Sequence, residues 1–178
     1  LEYKDGASFA SFGAGWEDLV EQGTGQSFGG EFMLEKNIGK TRGWIGYTLS
    51  KSDRQFEELN SGKVFPYKYD RRHDLSIVAT HEFSKRIDVG ATLVYGTGNA
   101  VTLGMNQYDA MQIPFNSGDD AQYYPDRIVD YNGRNSYRAP DYMRFDIGAN
   151  FRKQKKHGIR TWNISIYNTT NRKNPFFL

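Results

Sequence analysis

Three groups of side chains in this sequence have the types and spacing to do chemistry. The densest is Asp70-Arg71-Arg72-His73-Asp74, where two carboxylates and an imidazole fall within a short run. Such a set can hold a metal or pass a proton, but the two intervening arginines suit a dedicated metal site poorly. Adjacent opposite charges instead satisfy one another as ion pairs. The expectation is structural: ion pairing where the chain re-enters a strand.

The second group is Asp119, Asp120, Tyr123, Tyr124 and Asp126. Carboxylates beside tyrosines can hold a cation or stack on a sugar ring, and binding residues concentrate on long loops. Carboxylates around Gly118 also mark ordinary solvated turns. These five are the candidate ligand-binding residues. Trp16-Glu17-Asp18 is a weaker candidate of the same kind.

The third group is basic: Lys40, Arg42, Lys85, Arg86, Lys153, Lys155 and Lys156. Nucleic-acid binding calls for aromatic platforms interleaved with such charges. The segments bearing them lack these, and a net charge of +2 is too small to imply a nucleic-acid partner. A solvated or phosphate-facing rim is the expected role.

Catalysis finds no footing. His73, His81 and His157 fall at separate strands and a turn, no glycine-rich loop precedes a helix to cradle phosphate, and cysteine is absent. The expectation is a protein that is not an enzyme, with no cofactor and no dedicated metal.

The elements that position these groups are strands. Period-two alternation recurs six times. Ser27–Lys36 sets Phe28, Phe32 and Leu34 against Ser27, Glu31 and Glu35. Gly43–Asp53 sets Ile45, Tyr47 and Leu49 against Gly46, Thr48 and Ser50. Asp74–Phe83, Ile87–Gly96, Tyr142–Arg152 and Thr161–Asn168 repeat the pattern. Connections alternate as well: short at Asn37–Thr41, Ser84–Arg86 and Lys153–Gly158, long at Arg54–Arg72 and roughly Thr97–Asp141. Short turns therefore gather at one end of an antiparallel up-and-down sheet and long links at the other, as in outer-membrane barrels.

Composition agrees. Mean hydropathy is only −0.72, and no window approaches the ~20 apolar residues of a membrane helix. Aromatics nevertheless reach 15%, beside 19 glycines. Transmembrane strands need only every second residue apolar, with aromatic girdles at both interfaces, where Trp44 and Trp162 are expected to lie. A soluble antiparallel sheet alternates in the same way, but it would have to close a small barrel or meet a second layer, and no helical periodicity supplies one.

Arg42-Gly43-Trp44-Ile45-Gly46-Tyr47-Thr48-Leu49-Ser50, then Phe65-Pro66-Tyr67-Lys68-Tyr69-Asp70-Arg71-Arg72-His73-Asp74, then Val94-Tyr95-Gly96-Thr97-Gly98-Asn99 resemble the late barrel of Bacteroidetes TonB-dependent receptors of the SusC-like, carboxypeptidase-regulatory-like type. The similarity extends through Tyr3–Phe9 and Asn168–Phe177, and so over nearly the whole chain. It implies a barrel of about 22 strands, an N-terminal plug domain, a partnership with TonB, in some members a SusD-like lipoprotein lid, and contact with outer-membrane lipid and lipopolysaccharide.

The chain starts at Leu1 rather than Met and stops within an apolar run at Phe176-Phe177-Leu178. Residues 1–178 are therefore expected to be a C-terminal segment of an all-β barrel domain, with the plug and the remaining strands outside this sequence. Six strands are too few for an aqueous channel, which takes ~16 or more. The expected function is energised nutrient uptake across the bacterial outer membrane. A passive porin, or a surface-exposed barrel acting as an adhesin or assembly component, is the alternative.

Overall fold

Alternation of apolar and polar residues makes each segment amphipathic with period two, which suits an extended strand with one face in each of two media. The computed structural model describes residues 1–3, 16–109, 127–131 and 133–175, and in these the chain forms mostly antiparallel sheet. Six long strands dominate: β1 (Thr24–Lys36), β2 (Thr41–Gln55), β3 (His73–Ser84), β4 (Ile87–Gly96), β5 (Tyr142–Lys155) and β6 (Gly158–Ile166). Each pairs antiparallel with the next in chain order, giving an up-and-down meander with β1 and β6 at its edges.

The strands overrun the alternating segments that announce them. β1 begins at Thr24 and β2 continues to Gln55, pairing Thr24 with Gln55 and Gln26 with Asp53. These extensions are polar or glycine, so backbone hydrogen bonds hold them without leaving a hydrophobic period to read. The short strand Phe65–Pro66 then lies against Asp53 and Arg54.

Tight connections close β1–β2, β3–β4 and β5–β6 at one end of the sheet, and Gly39 supplies the positive φ (+89°) that the first of them needs. The opposite end is more ordered than a plain loop. Ala100–Val101 pairs with Tyr137–Arg138, and Gly104–Asp109 pairs with Arg127–Tyr131, so the second long link continues as a β-ribbon. Two-residue strands are too short to leave an alternation in sequence, and the link expected at Thr97–Asp141 thus carries unforeseen pairing.

Register brings most of the apolar residues of the six strands onto one face, with Met33, Trp44, Val78 and Val94 on the other. One rung reads Phe32, Tyr47, Leu75, Tyr95, Met143 and the next Leu34, Ile45, Ile77, Leu93, Phe145. Further rungs add Ala79, Ala91, Ile147, Ile166 and then Phe151 with Trp162. The other face reads Glu31, Thr48, Asp74, Gly96, Tyr142 and Arg42, Thr80, Gly90, Gly148, Ser165.

Among the described residues nothing packs on the apolar face: Phe32 is 67% exposed, Leu34 69% and Ile164 62%. Leaving such a side chain in water forgoes about 1.5–3 kcal/mol relative to burying it. The buried apolar residues, Phe56, Leu59, Phe65 and Ala100, sit instead at the long-link end. No described helix is long and apolar enough to cross a membrane.

Candidate functional site

At the long-link end, polar groups are buried and paired. The turn after Phe65–Pro66 drives the Asp70 carboxylate inward until its side chain is fully buried. One oxygen accepts from the Ser52 amide at 2.6 Å. The other accepts from Arg72 Nε at 3.0 Å and from Arg138 Nη2 at 2.5 Å. Arg138 Nη1 also donates to the Asp70 carbonyl (2.7 Å) and the Gly98 carbonyl (3.0 Å), so one guanidinium ties the first long link to the base of the ribbon. Burial alone would raise the Asp70 pKa. The hydrogen bonds from Arg138 and Ser52 and the charges of Arg72 and Arg138 outweigh it and hold the carboxyl below its usual value.

A second carboxylate works beside it. Asp141 accepts from Tyr95 Oη at 2.7 Å and from the Gly98 amide at 3.1 Å, and these bonds hold its pKa down. Gly98 is required between them: a Cβ there would stand 1.8 Å from the Ala139 carbonyl oxygen. Further stitches cross the two links. Asn60 Oδ1 accepts from the Arg134 amide (2.9 Å), Asn135 Nδ2 donates to the Pro66 carbonyl (2.8 Å), and Arg54 and Arg134 both reach Glu2.

The charged run at 70–74 thus behaves as the ion-pair reading expects. Arg71 pairs with Asp74 at 3.1 Å, and His73 Nδ1 lies 2.7 Å from Tyr47 Oη. Among the described residues no set of three or more His, Asp or Glu is placed to hold a metal. One reading needs correcting: His73 and His81 belong to the same strand, β3, rather than to separate ones. His81 Nδ1 lies 2.7 Å from Thr41 Oγ1, and His157 sits in the last tight turn.

The candidate ligand residues Asp119, Asp120, Tyr123, Tyr124 and Asp126 lie outside the described residues. Trp16–Leu19 forms one helical turn, with Glu17 and Asp18 exposed. Two clefts flank the stitched links. One of about 570 Å³ is lined by Arg71, Asn99, Tyr142, Val94 and Leu103, with Arg71 lying across Gly96. The other, about 840 Å³, is bordered by Glu21, Glu57, Glu58 and Phe56.

The polar face is cross-linked between strands. Asn163 donates to Asn150 (2.9 Å), Asn150 to Asp88 (2.9 Å), and Arg152 pairs with Asp88 at 2.5 Å. Arg144 bonds Asp146, Tyr142 and Tyr167. Trp162 lies on the apolar face beside Phe151. Trp44 does not: its partners are Glu35 and Val78, which places it on the polar face. Position along the strand put both tryptophans at the same height, but strand parity separates them.

Arg138, Asp141 and Tyr95 are the positioning residues that sequence reasoning passed over. Arg138 stands 68 residues from its partner Asp70, and neither position lies in a strand whose period points to the other. Comparison with known proteins leaves the geometry to stand alone: the chain matches no family model, no curated protein and no solved structure.

Proposed function

We propose that this chain is a section of the wall of a bacterial outer-membrane β-barrel, in a TonB-dependent receptor that takes up a nutrient using energy from the inner membrane. The observation that carries the reading is the bare, in-register apolar face set against a hydrogen-bonded polar face on one layer of sheet. Such a layer is stable where one side meets hydrocarbon and the other a polar lumen. Among the described residues the outer edges of β1 and β6 are unpaired, which favours a larger barrel, because no strand edge can stay open within a bilayer. The resemblance of the motifs in β2, β3 and β4 favours a receptor with a plug, TonB and, on the outer side, lipopolysaccharide and a SusD-like lipoprotein as partners. Ligand contact then falls to the long-link end, where Asp119, Asp120, Tyr123, Tyr124 and Asp126 belong by sequence.

This chain has no cysteine of its own to compete for label, and any cysteine elsewhere in the parent protein is first replaced by serine. Single cysteines at Ile164 and Ser165, neighbours on opposite faces, are placed in the parent protein in cells. Ile164→Cys is expected to react only with membrane-dissolved maleimides and Ser165→Cys only with water-soluble ones. Equal reaction of both with water-soluble reagent overturns the wall. Nutrient uptake by the same cells is expected to stop when an uncoupler collapses the proton-motive force. Uptake that continues unchanged points to a passive porin.

A further inference from the structure

We propose that the short-turn rim of the sheet binds anionic phospholipid, seating itself in the headgroups of the leaflet that the turns reach; this rests on the reading of the sheet as a membrane wall. The first observation is charge. Residues 35–42, 82–88 and 152–160 hold ten Lys or Arg against three Asp or Glu, a net +7 in a chain whose total is +2, which leaves −5 elsewhere. Register gathers all three segments at one end of the sheet.

The second observation is pairing. At the opposite end Arg54, Arg71, Arg72, Arg134 and Arg138 each meet a carboxylate. Among the described residues, none lies within ion-pair distance of Lys85, Arg86, Lys153, Lys155 or Lys156, all of them exposed. These cations are left for something outside the chain.

The third is their order on the apolar face. Along the β5–β6 hairpin the rungs read Ile147 with Ile166, Ala149 with Ile164, Phe151 with Trp162, Lys153 with Arg160. Each step advances about 6.6–6.8 Å along the strand. Hydrocarbon-compatible side chains thus give way to an aromatic pair and then to a basic pair, with the Arg160 guanidinium 4.7 Å from the Trp162 ring centre. That sequence of chemistries matches the descent from acyl chains through the interface to phosphate. The β1–β2 hairpin passes directly from Leu34 with Ile45 to Lys36 with Gly43, without the aromatic step, and in β3–β4 Phe83 and Ile87 flank Lys85 and Arg86. The apolar run of β5, Met143 through Phe151, spans nine residues, the length a tilted strand needs to cross the hydrocarbon. A solvated rim would need no such order.

The test uses the full 178-residue chain, refolded from urea into vesicles of phosphatidylcholine alone or mixed with phosphatidylglycerol. Binding is followed by flotation and by quenching of Trp162 with brominated acyl chains, in a background of Trp16→Phe and Trp44→Phe. The chain is expected to enter both vesicles and to bind those containing phosphatidylglycerol about tenfold or more tightly at low salt. The preference is expected to vanish near 1 M salt, where the screening length is about 3 Å. Lys153→Gln/Lys155→Gln/Lys156→Gln/Arg160→Gln is expected to remove the preference while keeping association with phosphatidylcholine. Lys63→Gln/Lys68→Gln, at the other end, should leave it intact. A preference that survives the rim variant, is lost equally with the distal variant, or is absent from the parent chain overturns the proposal. Should the rim variant not refold, the salt titration of the parent chain still decides, since a salt-independent preference is incompatible with it. Failure to bind vesicles of either composition overturns the rim proposal, while the membrane wall is judged separately by the Ile164 and Ser165 labelling in the parent protein, so the two failures are distinct.

Discussion

The two ends of this sheet treat charge in opposite ways, and its middle treats apolar side chains contrary to a water-soluble fold. At the long-link end a fully buried carboxylate is saturated by two guanidinium groups and a backbone amide, over a small apolar cluster of Phe56, Leu59 and Phe65. At the short-turn end Arg152 pairs with Asp88, but Lys85, Arg86, Lys153, Lys155 and Lys156 stand exposed with no carboxylate near among the described residues. Between them Phe32, Leu34, Trp162 and Ile164 are more than half exposed. A folded chain minimises bare apolar area in whatever solvent it has. The difference teaches that the long-link end satisfies its own buried polar groups, while the sheet leaves a large apolar face and most of its short-turn cations without partners among the described residues.

The strongest blow to that comparison falls on Arg138. Arg138→Ala leaves Asp70 buried with Arg72 alone, and breaking a buried pair from one side costs about 3–5 kcal/mol. Because Arg72 stays, a loss near 3 kcal/mol is expected. It should be read as faster hydrogen exchange at the Ser52, Asp70 and Ala139 amides, which close this network. Lys155→Ala, exposed at the rim, should cost no more than about 0.5 kcal/mol. Equal costs at the two positions would erase the distinction between a satisfied end and an unsatisfied one.

Acid should produce the same disturbance more gently. Asp70 and Asp141 are both held below the ordinary value of 3.8, so each favours the fold while ionised. Their contribution is complete above about pH 4 and falls away as pH drops through the lowered folded values. Protection at the long-link end should therefore stay constant from neutral pH to about pH 4 and decline below it. The decline should be smaller than that of Arg138→Ala, because a protonated carboxyl remains a hydrogen-bonding group and strands no charge. A loss that begins well above pH 4 would show that these two carboxylates do not govern that end.

What could be read in sequence follows the same division. The antiparallel sheet was legible because a strand with two unlike faces carries period two, and Tyr142–Arg152 shows its apolar face without any knowledge of its neighbours. Ion pairing at 70–74 was legible because its members adjoin. Arg138 was not, since a contact across 68 residues leaves no local mark. The pairing of Ala100–Val101 with Tyr137–Arg138 escaped for want of length. Trp44 misled because distance from a turn was read while parity was overlooked.

The smallest effect is expected on the polar face. Asn163→Ala removes one exposed amide from the chain that runs through Asn150 to Asp88 and Arg152. A net hydrogen bond contributes about 0.5–1.5 kcal/mol, and an exposed member should fall at the lower limit. Asn150 keeps its bond to Asp88 and becomes an acceptor open to water, so nothing buried is left unsatisfied. Slightly faster exchange should appear at the β5 and β6 amides, and none at Ser52 or Asp70. A change that did reach those amides would mean that wall and long-link end open as one cooperative unit, joined through β5 to the Arg138 network. Asn163 would then matter through the strand it steadies, and the contrast between a self-sufficient end and a dependent wall would give way to a single body with a dry exterior.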